Sequence, residues 1–192
     1  MFFQPISNKP ALFIPQFEAL VLSDLHIGIE NELREYGVYA DSQIIQMESM
    51  IQEMYDEYKP KEIILLGDIK HSIPSTPFYE KKHLYEFLKR LQSYAKIHII
   101  PGNHDGSINQ HLNLGWDWVG WSMRIKKFGK VIQFSHKPIP SYNCDIQLHG
   151  HFHNNPSKYW EGHLKQVIDS KHRLLILEDV EYKPVDLEQL VG

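Results

Sequence analysis

A single cysteine, Cys144, stands in the 192-residue sequence. One cysteine cannot close an internal disulfide, so no disulfide framework supports this chain. Its simplest use is as a reduced, partly buried side chain rather than a catalytic thiol. Long apolar runs are also missing. No stretch approaches the roughly 20 residues of a membrane-spanning helix. The first 15 residues are apolar, but Pro5, Pro10 and Pro15 interrupt them. They lack the charged start and unbroken apolar core of a secretory signal, so the expected location is the cytoplasm. Charge of one sign is scarce as well, with a formal net charge of −4. That balance argues against a strongly basic surface for nucleic acid or anionic membrane. It leaves a nucleic-acid substrate open, because bound cations offset local acidity. Repeats, low-complexity tracts and linkers are absent. The length suits one domain over residues 1–192 with a real hydrophobic core.

What stands out is histidine, at 12 residues. Neutral imidazoles suit transition-metal binding and acid–base chemistry, provided their spacing is useful. The coarse pattern places them. Residues 17–23 (FEALVLS), 62–66 (EIILL) and 96–100 (KIHII) are short apolar runs of the kind that form buried strands. Between them, residues 41–58 predict a helix, with Ile44, Met47, Ile51, Met54, Tyr55 and Tyr58 at helical spacing and Pro60 beyond the end. A second helix is expected from Thr76 as cap and Pro77 as first residue, burying Leu84, Phe87, Leu88, Leu91 and Ala95. Strands alternating with helices imply parallel pairing with right-handed crossovers. The second half instead carries strand patterns at 116–125, 130–135, 145–149 and 173–177, with a turn at Gly129. The expected fold class is α/β, with two packed mixed β-sheets flanked by helices.

Each expected strand of the first half runs straight into a polar cluster. Asp24-Leu25-His26 follows the first, Gly67-Asp68-Ile69-Lys70-His71 the second, and Gly102-Asn103-His104-Asp105 the third. Two later strands end at His136 and at Gly150-His151-Phe152-His153. Ligands of open α/β sheets bind beyond the carboxyl ends of the strands, so these clusters should converge. In an X-z-X triplet leaving a strand, the first and third side chains share a side. Asp24 with His26, and His151 with His153, can then reach one metal cluster. Asp68 can bridge two cations, and Asn103 offers an amide oxygen. Gly67, Gly102 and Gly150 let the backbone come close. Two cations about 3.5–4 Å apart suit in-line displacement at phosphorus by a metal-bound hydroxide. His104 is free to act as general acid toward the leaving oxygen. Asp105 can orient His104 or brace its turn.

In order from residue 24 to residue 153, these clusters resemble the calcineurin-like metallophosphoesterases. Their pattern is D-x-H, G-D-x-x-D, G-N-H-D/E, a lone His and G-H-x-H. The resemblance implies that Asp24, His26, Asp68 and His153 hold one metal, while Asp68, Asn103, His136 and His151 hold the other. It implies two divalent ions, with Mn2+ expected and iron or zinc compatible with the same donors. The stretch 24–38 and LLGDIKH (65–71) look like archaeal enzymes related to the SbcD-type repair nucleases. LHGHFHNN (148–155) and the tail 181–190 look like small stand-alone members from bacteria and phages. Two positions depart from the pattern. His71 replaces the second aspartate of G-D-x-x-D, and Ser135-His136-Lys137-Pro138 replaces H-G-H-x-P. His71 is read as touching a ligand or substrate, or as an ordinary loop histidine.

The expected function is hydrolysis of a phosphomonoester or phosphodiester, with nucleotides and nucleic acids as candidate substrates and no membrane partner. Rival readings are a nuclease and a non-catalytic scaffold, which the family includes in a retromer subunit. Trp116, Trp118 and Trp121 fit sheet packing better than a base-stacking platform. Lys126, Lys127 and Lys130 fit a solvated hairpin. His149 reads as a strand residue bonded locally.

Overall fold

In the computed structural model the chain opens as an antiparallel ribbon, β1 (Gln4–Pro5) against β2 (Ala11–Ile14). A tight turn at Pro15–Phe17 leads into β3 (Ala19–Leu22). Two helices, α1 (Ile29–Glu35) and α2 (Gln43–Tyr58), precede β4 (Glu62–Leu65). The helix α3 (Phe78–Tyr94) precedes β5 (Lys96–Ile99). The strands β6 (Trp118–Val119), β7 (Ser122–Lys127), β8 (Lys130–Ser135), β9 (Ile146–His149) and β10 (Arg173–Ile176) follow. The structure describes residues 3–6, 9, 11–39, 43–73, 76–106, 108, 118–137, 139, 144–151 and 173–176. No helix among the described residues is long and apolar enough to cross a membrane.

Two mixed sheets result, as the sequence pattern implies. The first has the order β1-β2-β3-β4-β5-β6 and the second β10-β9-β8-β7. β3, β4, β5 and β6 run parallel, while β2 pairs antiparallel with β3. In the second sheet β7 and β8 are antiparallel, whereas β8, β9 and β10 are parallel. Residues of one strand alternate between two cores, because successive side chains leave opposite faces. Leu20, Leu22, Ile63, Leu65, Ile97 and Ile99 pack with Ile51 and Met54 of α2 and with Leu84, Phe87, Leu88 and Leu91 of α3. Ala19, Val21 and Ile64 join Ile132, Phe134, Ile146 and Leu148 of the second sheet. Burying each such Leu, Ile or Phe contributes about 1.5–3 kcal/mol. The strands therefore read as unbroken apolar runs, covered on both sides.

The structure moves several expected boundaries. The first parallel strand starts two residues late, because Phe17 ends the tight turn and Glu18 takes a φ of 49°. Thr76 is not the cap of α3. Pro77 holds that position, with no side-chain cap hydrogen bond, and Phe78 is the first helical residue. The apolar run at 116–125 serves two sheets rather than one strand. β6 lies beside β5, and the chain changes sheets at Gly120 and Trp121 before β7. Trp121 is exposed, while Trp116 lies outside the described residues. The turn at Gly129 is as expected. Lys127 pairs with Lys130, leaving Phe128 and Gly129 with φ of 52° and 76°. Two positive φ values in a two-residue loop match the twist of a hairpin.

Candidate metal centre

The polar clusters occupy backbone turns that side chains seldom adopt. Asp24, His26, Asp68 and His151 have φ of 54°, 44°, 49° and 81°. That region costs a non-glycine residue about 1–3 kcal/mol and persists where surrounding contacts enforce it. The contacts are visible. Beyond the ends of β3 and β4 the ladder continues, as His26 N–H donates to Asp68 O at 2.8 Å and Ile27 N–H to Ile69 O at 2.8 Å. The second sheet joins through the backbone N–H of His151, which lies 3.2 and 3.1 Å from the two carboxylate oxygens of Asp24. Ser23 places its hydroxyl against the same carboxylate and 3.2 Å from Leu66 O.

Asp68 sits at the centre. Its Oδ2 is 3.2 Å from His136 Nε2 and 3.9 Å from His26 Nε2, while its Oδ1 accepts the backbone N–H of His104 at 2.8 Å. His136 donates Nδ1–H to Leu66 O at 2.8 Å. Its Nε2 then presents a lone pair to the cluster, the tautomer a metal ligand needs. The same Nε2 faces Asn103 Oδ1 at 3.2 Å and His151 Nδ1 at 3.1 Å. Acceptor atoms from four side chains thus converge, a donor set that demands positive charge. The same demand for positive charge shows in the pKa shifts, where a proton on His136 Nε2 takes the place that a cation would fill. Burial alone would raise the Asp68 carboxyl, but His136 and the His104 amide hold it at about 2. Burial works against a charged His136, yet Asp68 and Asp24 outweigh it and raise its pKa.

Three sets of side chains bring ligand atoms within 4.8 Å of one another: Asp24, His26 and Asp68; Asp68, His136 and His151; and His26, His71 and His104. Asp68 belongs to two of them, the arrangement expected of a shared carboxylate. Six of the seven expected ligands are therefore gathered, with Asn103 held against His136. His153, the seventh, lies outside the described residues.

His104 lies beside this cluster. Its Nδ1–H donates to the backbone carbonyl of His71, and its ring stands edge-on to His26 at 4.8 Å. Asp105 braces the turn. Its buried carboxylate accepts N–H groups from Ile69 at 2.9 Å, Lys70 at 3.2 Å and Gly102 at 2.8 Å. Burial is the largest influence on it and pushes its pKa up despite those amides. His149 is bonded locally, to Gly150 O at 2.9 Å, and burial lowers its pKa to about 4.

Gly102 makes room for the central carboxylate. A Cβ there would lie 2.1 Å from Asp68 Oδ1 and 2.5 Å from Asp68 N. Gly102→Ala is expected to destabilise the fold by about 1–3 kcal/mol through overpacking. A lowered urea midpoint would show it, together with weaker metal binding; an unchanged midpoint would contradict this reading.

The sequence reading missed Glu32 and Lys70. Glu32 reaches the site from α1, where its carboxylate meets His71 Nε2. Lys70 is fully buried, with its Nζ donating to Ser72 O; burial lowers its pKa, against the pull of Asp105, Glu80 and Asp68. The signal for Lys70 was its place inside GDIKH, between two residues already singled out. The signal for Glu32 was weak, since it acts at 39 residues' separation from His71.

Strand-end carboxylate, imidazole and amide groups thus gather between two mixed sheets in sets that could hold a metal ion. The sequence signature described as calcineurin-like phosphoesterase matches residues 17–141, and the chain belongs to that family. Family membership implies hydrolase chemistry on phosphoester bonds as its class. Among solved structures it is similar to nuclease MPE of Pseudomonas putida, with 23% identity over 79% of this chain and 74% of that one and a TM-score of 0.58. It is equally similar to AQ665 from Aquifex aeolicus, a protein of unknown function, with 21% identity, coverage of 90% and 97%, and a TM-score of 0.58. At these identities the likeness concerns the fold.

Proposed function

We propose that this chain is a single-domain, cytoplasmic phosphoesterase that hydrolyses a phosphomonoester or phosphodiester at a centre of two divalent cations. The observation that carries the proposal is that one oxygen, Asp68 Oδ2, lies 3.2 Å from His136 Nε2 and 3.9 Å from His26 Nε2. Asp24, His26, Asp68 and His153 would hold one cation, and Asp68, Asn103, His136 and His151 the other. Manganese is the ion we favour, and this nitrogen and oxygen set also admits iron and zinc. Bound there, the cations supply Lewis acidity toward phosphoryl oxygens and acidify water.

The chain's own residues do the rest. Asp68 and Asp24 balance the cationic charge, and Asp105 keeps the turns of Asp68 and Asn103 in register. With Nδ1–H committed to His71 O, the remaining ring nitrogen of His104 is the one that protonates a leaving oxygen. Likeness to a nuclease fold supports nucleic acid as one candidate substrate class.

The test is hydrolysis of bis-p-nitrophenyl phosphate and p-nitrophenyl phosphate by metal-stripped protein, with and without added Mn2+. Turnover should depend on the metal. No turnover on either ester with manganese, iron or zinc would favour a scaffold. Single-stranded DNA, duplex DNA and RNA, assayed with the active metal, separate nuclease from small-ester hydrolysis.

A further inference from the structure

Three imidazoles and one carboxylate form a chain leading outward from the centre. His26 Nε2 faces Asp68, and on the other edge of the ring His26 Nδ1 lies 3.3 Å from His71 Nδ1. His71 Nε2 in turn meets the Glu32 carboxylate. One set of tautomers satisfies these three contacts together. A lone pair on His26 Nε2 requires a proton on Nδ1, which donates to His71 Nδ1. His71 must then carry its proton on Nε2, which donates to Glu32. The tautomers are assigned from these contacts. The backbone of His71 is fixed independently, its N–H donating to Ile27 O at 3.0 Å. Its carbonyl accepts Nδ1–H of His104.

Resting on the two-cation reading above, we propose that Glu32 is a positioning residue for the metal centre, acting through His71 to fix the orientation and electron donation of His26. A histidine ligand needs its second N–H anchored, and loss of such an anchor costs about 10–100-fold in metal affinity. Here the anchor of His26 is a neutral imidazole, which has no fixed orientation of its own. Glu32 supplies the orientation: its negative end selects the His71 tautomer that accepts from His26. Because α1 carries Glu32, this helix couples to the centre without contributing a ligand. The same residue, His71, also sets His104 through its carbonyl, so one short segment aligns a metal ligand and the proposed acid.

The carboxylate side chain of Glu32 is 53% exposed, so its replacement should leave the fold intact. The experiment is calorimetric titration of Mn2+ into the metal-free protein, for the parent, Glu32→Ala, Glu32→Gln and Glu35→Gln. Glu32→Ala should weaken Mn2+ binding about tenfold or more. Its urea midpoint without metal should match the parent. Glu32→Gln keeps an acceptor oxygen for His71 and should recover most of the affinity. Glu35→Gln removes a charge from the same helix and should bind like the parent. Parent-like Mn2+ affinity in Glu32→Ala would overturn the proposal. So would equal losses in Glu32→Ala and Glu32→Gln, which would reduce the effect to charge alone. A parent that binds no Mn2+ would overturn the metal-centre reading itself, and this inference with it.

Discussion

Asp68→Asn is expected to lower kcat/KM for phosphoester hydrolysis by about three orders of magnitude, or roughly 4 kcal/mol of transition-state stabilisation. The substitution keeps the side chain's shape. The amide oxygen can still accept the His104 N–H, now made at 2.8 Å, so the turn should survive. What disappears is the negative charge that lies within 3.9 Å of both His26 Nε2 and His136 Nε2. That charge is held ionised down to a pKa of about 2, so the parent carries it throughout the working pH range. Asn offers the centre one weak donor instead of a shared anion. Metal content should fall below that of the parent along with the rate. Steady-state kinetics with saturating Mn2+ and metal analysis of the purified variant check both. A loss smaller than tenfold, with metal content intact, would remove Asp68 from the centre of the scheme.

His104→Ala should produce a loss that depends on the leaving group. For an alkyl phosphate ester, whose departing oxygen is strongly basic, the rate should drop by about 10²–10⁴-fold. For a p-nitrophenyl ester the departing oxygen is stable as an anion and needs no proton, so the drop should be far smaller. The contrast follows from the contacts of His104, which is held by a backbone carbonyl and by ring packing on His26 and His71. Mn2+ affinity should stay near the parent value. Equal losses on both esters would assign His104 to the organisation of the centre rather than to proton transfer. A lowered metal stoichiometry would assign it to the third imidazole cluster with His26 and His71.

The parallel strands of the first sheet were legible because both faces are covered. Short runs dominated by apolar residues, each leading within two residues into Asp, Gly-Asp or Gly-Asn, left little choice of element or of position. The N-terminal ribbon was not legible. Pro10 and Pro15 bracket β2, and the four residues between them carry no period to read. Helix α1 was missed for a similar reason. Its seven residues, IENELRE, hold only two apolar side chains, too few to declare a face. The gathering of Asp24, His26, Asp68, Asn103, His136 and His151 was legible because each follows the carboxyl end of an apolar strand run. The support for His26 was not, since Glu32 and His71 meet only once α1 has docked. Left-handed conformations at Asp24, His26, Asp68 and His151 left no trace in residue choice. Aspartate and histidine tolerate that region better than most, and their ligand chemistry already accounted for their presence.

The amide hydrogen bonds around the cluster bear on which ion resides there. Asp24, Asp68 and Asp105 are each gripped by backbone N–H groups from a distant turn. The cage is thus set by the folding of two sheets, ahead of any ion's arrival. A cage of that kind cannot contract or widen to suit an ion of the wrong size, so it would discriminate by radius and coordination geometry. For the proposed centre this means that the fit of an ion's size and preferred geometry to a fixed set of nitrogen and oxygen donors would weigh in the choice of ion beside the supply of metal.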